Sequence, residues 1–198
     1  MLAECKRCGL YNTVAHPCIQ GRGKLSYKTS LFLIGEAPGC EEDEEGRVFI
    51  GRAGKLLDAS LESISATENV YITNAVKCLP KPPDGRGWRT PTEPEISACN
   101  GLLANEIEKC DPTYVVIIPM GNTAISALFG ASHEKVTKIV GHVCHIMLDG
   151  KEYTVIPNFH PAYILRNMQK LDIFKGILAL GNTYRSSLQT YGVYHGLS

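Results

Sequence analysis

The alternation of short apolar runs with helical repeats constrains the fold of this chain more than any other feature. Apolar runs at residues 31–34, 70–73 and 114–118 have the length of strands. Between them, apolar residues recur three or four positions apart, as they do in amphipathic helices. This order is typical of an α/β sheet with mostly parallel strands and helices on both faces. With no internal repeat and no evident linker, residues 1–198 are predicted to form a single-domain three-layer sandwich.

Two local patterns predict particular elements. Thr92 and Glu95 have the spacing of a capping box, which opens a helix. Asp149-Gly150 is the dipeptide of a tight hairpin turn between two strand-like runs. Those two strands are predicted at 142–148 and 152–156, and further helices at 56–64, 122–129 and 172–184.

Three loops that follow predicted strands carry residues suited to binding and catalysis. They lie at residues 35–39, 74–78 and 158–162. In open α/β sheets, ligands bind beyond the carboxyl ends of the strands, so we expect the three loops to meet at one edge. The first has two glycines and a proline, which make a tight, rigid turn that a ligand can approach closely. The sequence therefore predicts a composite site.

Charge and hydropathy narrow the class of protein. The chain has 20 basic and 20 acidic residues, so net charge gives no support to a nucleic-acid partner. Basic residues nevertheless gather at 47–55, 77–89 and 166–175, and a neutral protein can bind DNA through one basic face. No apolar run approaches ~18 residues, and the start of the chain does not resemble a signal peptide. We expect a cytoplasmic protein with no membrane partner.

A nucleotide-hydrolysing phosphate loop is excluded by its residues. Gly46 and Gly51 have the spacing of such a loop, but Arg52 and Ala53 stand where lysine and a hydroxyl residue are required.

The chain has eight cysteines, which in a reducing compartment are not expected to form disulfides. Cys5 and Cys8 have the spacing used for metals, clusters and redox pairs. A redox pair would follow a strand in a βαβ unit, whereas this pair lies in the first eight residues. Metal or cluster binding is therefore favoured.

The stretch from Gly35 to Leu57 closely resembles the first motif of the family-4, iron–sulfur uracil-DNA glycosylases. The likeness continues, in the family's order, through residues 71–78, 89–92, Cys99 and 157–163, so that it spans about residues 5–167. Several spaced motifs are more specific than any one of them. The resemblance implies a uracil-DNA glycosylase-like fold and hydrolysis of the N-glycosidic bond of uracil in DNA, which releases uracil and leaves an abasic site. The partner would be uracil-containing DNA, single- or double-stranded, and the enzyme a monomer.

The same resemblance implies roles for individual residues. Phe49 would stack on the flipped base, Asn74 would read the O4 and N3–H edge of uracil, and His160 would donate to O2. The residues implied in uracil binding are Glu36, Ala37, Pro38, Phe49, Asn74 and His160. For Phe49 and Asn74 the alternatives are a core aromatic and a turn asparagine.

His160, Glu36 and Glu42 are the implied catalytic residues. Fixed donors at O2 stabilise the departing base, and a carboxylate near the sugar stabilises the cation or positions water. Which of Glu36 and Glu42 acts at the sugar stays open, and the alternative role for Glu42 is to exclude the methyl group of thymine. The other carboxylates of residues 41–45 are expected to form a solvated charged run.

The resemblance assigns Cys5, Cys8, Cys78 and Cys99 to a [4Fe–4S] cluster with a structural role. The cluster would tie the N-terminus to residues 78–99. Spacing alone does not separate iron–sulfur from zinc, since thiolates bind both. Cys18 is the best spare ligand. The others, Cys40, Cys110 and Cys144, are interpreted as ordinary thiols.

DNA contact is expected just after the histidine motif, where residues 163–166 resemble the family's wedge loop. Leu165 or Arg166 would fill the space left by the flipped nucleotide, with Lys81, Arg86 and Arg89 as phosphate contacts. The alternative for each wedge side chain is a helix start that packs on the core.

The chain departs from the family pattern at three single positions and in one loop. Val48 stands where proline is common, Cys40 replaces a common acidic residue, and Ala162 stands where serine is frequent. The loop at residues 81–88 is longer than usual and contains the only tryptophan. None of these changes removes a proposed catalytic group.

Two other functions are kept open. One is a relative that becomes covalently trapped on uracil-DNA through a histidine in an inserted loop, although residues 81–88 contain no histidine. The other is a non-catalytic iron–sulfur or zinc DNA-binding protein of the same fold.

Overall fold

A six-stranded sheet forms the centre of the computed structural model, which describes residues 5–190. The strands are β1 (Arg22–Gly23), β2 (Leu31–Gly35), β3 (Val70–Asn74), β4 (Val116–Pro119), β5 (Cys144–Leu148) and β6 (Lys151–Val155). Their order in the sheet is β1-β3-β2-β4-β6-β5. The four inner strands are parallel, and only the edge strands β1 and β5 pair antiparallel to their neighbours. The predicted mostly parallel sheet is confirmed.

Helices cover both faces of this sheet. They are α1 (Cys40–Glu45), α2 (Arg52–Ser63), α3 (Glu93–Ile107), α4 (Asn122–Phe129), α5 (Val136–Ile139), α6 (Pro161–Arg166) and α7 (Leu171–Thr190), with short 3-10 turns at Gly9–Asn12 and Met168–Lys170. Because side chains of a strand alternate between faces, Leu31 and Leu33 pack with α2, α6 and α7, whereas Phe32 and Ile34 pack with α3. The result is the expected three-layer arrangement. Within residues 5–190, no helix combines the length and apolar character needed to cross a membrane.

Most elements lie where the sequence predicts them. The capping box is present, with the Glu95 carboxylate accepting from the Thr92 amide at 2.8 Å. Asp149 and Gly150 have φ angles of 46° and 72°, as the hairpin turn between β5 and β6 requires. Residues 163–166, expected as a loop, instead form the last four residues of α6, whose Ile164 is fully buried.

The prediction of a solvated charged run at residues 41–45 is wrong for Asp43. This side chain is only 3% exposed, since it lies on the inner side of α1. Its carboxylate accepts from the amides of Ala15 and His16 at 3.1 Å, and Lys81 Nζ lies 3.4 Å away. The carboxylate therefore joins the N-terminal segment to the start of the 81–88 loop.

A buried ion pair supports the segment that follows β3. Lys77 Nζ lies 2.6 Å from Glu106 Oε2, and both side chains are at most 6% exposed. Tyr71 and Thr73 also donate to the Glu106 carboxylate, at 3.0 and 3.1 Å. Burial lowers the pKa of Lys77, and the Glu106 carboxylate opposes this shift. The pair fixes the backbone directly before Cys78.

Glu106→Ala is expected to lower the free energy of unfolding by about 3–5 kcal/mol, because it leaves the buried Lys77 charge without a partner. Chemical denaturation of the wild-type protein and of this variant measures the difference in the free energy of unfolding. Glu108→Ala is the control, since Glu108 is exposed one residue past the end of α3. Equal stability of the two variants would contradict the role given to the pair.

Candidate active site

A pocket of about 340 Å³ opens at the carboxyl ends of the parallel strands. The loop after β2, the end of β3 and the segment after β6 all contribute to its walls. Among the predicted site residues, it is lined by Glu36, Ala37, Pro38, Glu42, Phe49, Asn74, His160 and Arg166. The structure thus brings together residues that are more than 120 positions apart in the sequence. Leu165 is half-buried in α6 and is not one of the lining residues.

The deepest part of the pocket is formed by Asn74 and Phe49, which are 2% and 4% exposed. Asn74 ends β3 and pairs with Gly35 at the end of β2. Its Nδ2 atom is buried and has no hydrogen-bond partner among the described residues. An unpaired buried donor costs about 1–3 kcal/mol. A ligand with an acceptor at this position would remove that cost.

Gly35 leaves the room that these two side chains occupy. A Cβ atom at this position would overlap both the Asn74 amide oxygen and the Phe49 ring. The glycine is therefore needed for close approach, and it allows the amide and the ring to lie side by side.

Gly35→Ala is expected to weaken substrate binding about 10-fold or more, because an extra methyl in a packed site displaces its neighbours at about 1–3 kcal/mol. The KM for uracil-containing DNA, the substrate that the sequence resemblance implies, measures the effect. Gly176→Ala, whose added Cβ would meet no atom within 4 Å, is the control for the glycine-to-alanine change itself. A normal KM in the Gly35 variant would show that the pocket relaxes around the methyl.

Phe49 is held in an unusual backbone conformation. Its φ angle is 54°, a left-handed value that is uncommon for an aromatic residue and often marks functional sites. The Glu42 carboxylate accepts from the Gly39 amide at 2.6 Å. Burial raises the pKa of Glu42, whereas backbone hydrogen bonds from Gly39, Phe49 and Ile50 lower it. Glu42 therefore links the loop after β2 to the turn that carries Phe49.

His160 stands at the start of α6 with a defined tautomer. Its Nδ1 atom accepts from the Ala162 amide at 3.2 Å, so a neutral ring carries its proton on Nε2. Burial, with a smaller contribution from the positive charge of Arg166, lowers the pKa of His160 to about 4. The centroid of its ring lies 6.1 Å from that of Phe49. At neutral pH the pocket thus contains an uncharged imidazole that offers an N–H donor.

Glu36 is fixed by a residue that the sequence analysis missed. Thr123 Oγ1 donates to Glu36 Oε2 at 2.7 Å across 87 positions of the chain. Thr123 lies in the first turn of α4, directly after β4. The only available signal is that its loop also follows a parallel strand, as the three loops singled out in the sequence do.

The four predicted cysteine ligands lie in one region, outside the pocket. Cys78 follows β3, Cys99 lies in α3, and Cys8 precedes the 3-10 turn at Gly9–Asn12. Burial raises the pKa of Cys78 to about 11, and the thiols of Cys99, Cys8 and Cys5 add to the shift. Cys8, Cys78 and Cys99 also belong to one group of packed side chains, so these three cysteines share a small region of the core.

Cys18 lies at the edge of the same group. It is 4% exposed, and its backbone amide donates to Cys78 Sγ at 3.2 Å. Among residues 5–190, no three or more His, Cys, Asp or Glu side chains are arranged to hold a metal ion.

Two predicted phosphate contacts already have acidic partners. Arg89 makes two hydrogen bonds to Glu95, at 2.8 and 2.6 Å, and lowers the pKa of that carboxyl to about 2. Lys81 lies near Asp43. Arg86 and Arg166 are exposed, and both Arg89 and Arg166 line the pocket.

Comparison with known proteins gives a consistent result. Residues 22–180 match the model of the uracil DNA glycosylase superfamily. The chain is 42% identical over 165 residues to a type-4 uracil-DNA glycosylase of Thermotoga maritima, covering 83% of this chain and 79% of that protein. It is 37% identical over 167 residues to the Sulfurisphaera tokodaii protein of the same name, covering 83% and 72%. It is 36% identical over 172 residues to that of Archaeoglobus fulgidus, covering 85% and 81%.

Proposed function

Because the chain belongs to the uracil DNA glycosylase superfamily, we propose that it hydrolyses the N-glycosidic bond of uracil in DNA, releasing uracil and leaving an abasic site. The observation that carries this proposal is the unpaired Asn74 amide beside Phe49 and a neutral His160 in one pocket. The Asn74 amide would pair with the edge of a single pyrimidine, the Phe49 ring would cover its face, and His160 would reach its O2 atom.

Asn74 and Phe49 would select and hold the base. The Asn74 Nδ2–H group donates to O4 of uracil, and its Oδ1 accepts from N3–H. Cytosine has a donor in place of O4 and an acceptor at N3, so the same amide opposes it. The Phe49 ring would stack on the face of the flipped base. The left-handed turn at Phe49 presents the ring beside the amide.

His160 would stabilise the departing base. Cleavage of the bond moves the electron pair onto uracil, and negative charge develops at O2. The Nε2–H group of a neutral imidazole can donate to that oxygen without giving up its proton. A donor fixed before the reaction needs no reorganisation as the charge forms, which makes it effective in a dry site.

Glu36 would act at the sugar, and Glu42 would position the loop. The Thr123 hydroxyl holds Glu36 at the pocket wall, where a carboxylate can stabilise the cationic sugar and orient the attacking water. The Glu42 carboxylate is occupied by backbone amides, so it acts through Phe49 rather than on the substrate. We therefore propose this division of the two roles, which the sequence left open.

The cysteines are proposed to hold an iron–sulfur cluster. The resemblance to the family-4 enzymes favours the cluster, since thiolates alone bind zinc as well. Cys8, Cys78 and Cys99 pack in one group of side chains, as the ligands of a shared centre must. We propose Cys5, Cys8, Cys78 and Cys99 as those ligands. When bound, the group would cross-link the N-terminal segment to β3 and α3.

Excision is tested with a labelled oligonucleotide that contains one uracil, treated with alkali after incubation with the protein. We expect strand breakage at uracil, none at thymine, and a large loss with Asn74→Ala. Asn105→Ala is the control, because Asn105 is exposed on α3, away from the pocket. A denaturant-stable protein–DNA adduct would favour the trapped relative, and binding without breakage would favour a non-catalytic DNA-binding protein.

A further inference from the structure

Trp88 is the only tryptophan of the chain, and it is exposed at the mouth of the pocket. Its side chain is 61% exposed. Nine large apolar side chains of the described residues are exposed, and Trp88 alone among them lines this pocket. A tryptophan with a purely structural role would be largely buried. The indole is therefore available to a ligand that passes the pocket mouth.

The base of its loop is firmly held. The Arg89 amide donates to the Pro80 carbonyl at 2.9 Å, and Arg89 Nε donates to the Lys81 carbonyl at 3.1 Å. The bidentate contact with Glu95 then fixes the guanidinium to α3. Since Trp88 directly precedes Arg89, the indole is attached to a closed loop and is presented at a defined place.

Trp88 lies further out in the pocket than the residues proposed to hold uracil. Asn74 and Phe49 are almost fully buried, whereas Trp88 remains mostly exposed. A nucleotide that reaches Asn74 must enter through the mouth, so its neighbours in the strand stay outside. Arg166 at the same mouth and Arg86 on the loop of Trp88 supply positive charge for the phosphates of that strand.

We propose that Trp88 stacks on an unpaired base next to the flipped nucleotide, and that it thereby strengthens binding to single-stranded DNA. This inference rests on the proposed function, because it places the DNA strand at the pocket. Bases of a duplex are already covered on both faces by their neighbours, whereas a single strand leaves faces free for an aromatic ring. The contribution of Trp88 is therefore larger for single strands than for duplexes.

Fluorescence excited at wavelengths that tyrosine does not absorb reports on this residue alone, since the chain has no other tryptophan. Titration of the cluster-loaded protein with a single-stranded oligonucleotide that lacks uracil is expected to change the emission and to saturate. Free uracil is expected to leave it unchanged. A response to free uracil without a response to uracil-free DNA would overturn the inference and make Trp88 part of the base pocket.

Substitution tests the energetic part of the inference. Trp88→Ala is expected to weaken single-strand binding about tenfold or more, to raise KM on single-stranded substrate and to change kcat little. Trp88→Phe is expected to recover most of the affinity. Tyr27→Ala, which removes an aromatic that is 62% exposed and outside the pocket, is the control.

Two outcomes would overturn the inference about Trp88. One is an unchanged affinity of Trp88→Ala for single-stranded DNA, and the other is an equal loss of affinity for single-stranded and double-stranded DNA. Because uracil-free DNA is used, the binding result does not depend on catalysis. If the fluorescence did not respond to DNA while uracil was released normally, only the inference about Trp88 would be wrong. If the fluorescence responded normally but no uracil was released, the proposed function would be wrong.

Discussion

His160→Ala is expected to slow uracil release about 100- to 1000-fold, the usual loss when one donor to a developing negative charge is removed. KM should change much less than kcat, since the donor acts mainly as the bond breaks. The rate of release from a single-uracil oligonucleotide under saturating conditions measures the effect. His145→Ala is the matched control, because His145 is exposed on β5, far from the pocket.

The pH dependence gives a second test of His160. Since its pKa is lowered to about 4, the ring stays neutral from about pH 5 to 9, and its protonation should not limit the rate there. An ordinary histidine binds a proton near pH 6.5 in the unfolded chain. The unfolded state therefore takes up this proton first, and the contribution of His160 to stability is lost as the pH falls from about 6.5 to about 4. Below about pH 4 this contribution to stability no longer changes with pH.

A contrary result is easily recognised. Suppose that the wild-type rate of uracil release fell as the pH was lowered, with an apparent pKa near 6.5, and that His160→Ala showed no such fall. The imidazole would then become protonated, and so charged, within the pH range in which the protein works. Catalysis by a neutral donor would then be wrong. NMR titration of the imidazole would locate the proton directly.

Cys78→Ala is expected to abolish cluster binding and to destabilise the protein by the largest amount of any change considered. Structural metal sites contribute on the order of 10 kcal/mol of binding energy to folding. The purified variant should lack iron and acid-labile sulfide and unfold at a much lower denaturant concentration. The matched control is Cys110→Ala, which removes a thiol that is 2% exposed and packs against the sheet with Leu103 and Ile107.

The metal content of the purified protein also distinguishes an iron–sulfur cluster from a zinc site. Iron and sulfide in about equal amounts, four of each per chain, are expected for the wild type. One zinc per chain and no sulfide would contradict the cluster and leave a tetrathiolate zinc site. If Cys78→Ala retained its iron and Cys18→Ala lost it, Cys18 would be the ligand, which its contact with Cys78 makes geometrically reasonable.

The fold could be predicted because its signals are local. Strand-length apolar runs, the Thr92 capping box and the Asp149-Gly150 turn each specify an element within a few residues. The convergence of the three loops then follows from a general property of parallel sheets. The family likeness supplied the roles of single residues, which periodicity does not contain.

The features that escaped prediction depend on contacts between distant segments. Glu36 and Thr123 are 87 positions apart, and Asp43 is buried only because the N-terminal segment folds over α1. Residue 88 likewise gives no local sign that its loop closes beside the pocket. Such contacts are set by the tertiary packing, so no short window of sequence specifies them.

Hydrolysis of the bond between uracil and deoxyribose yields two products, free uracil and an abasic site. Both are measured in one sample after incubation with uracil-containing DNA, the free uracil by chromatography. Equal amounts of the two products are expected over many turnovers, with little release by His160→Ala. DNA binding by cluster-loaded protein without any free uracil would contradict the proposed hydrolysis.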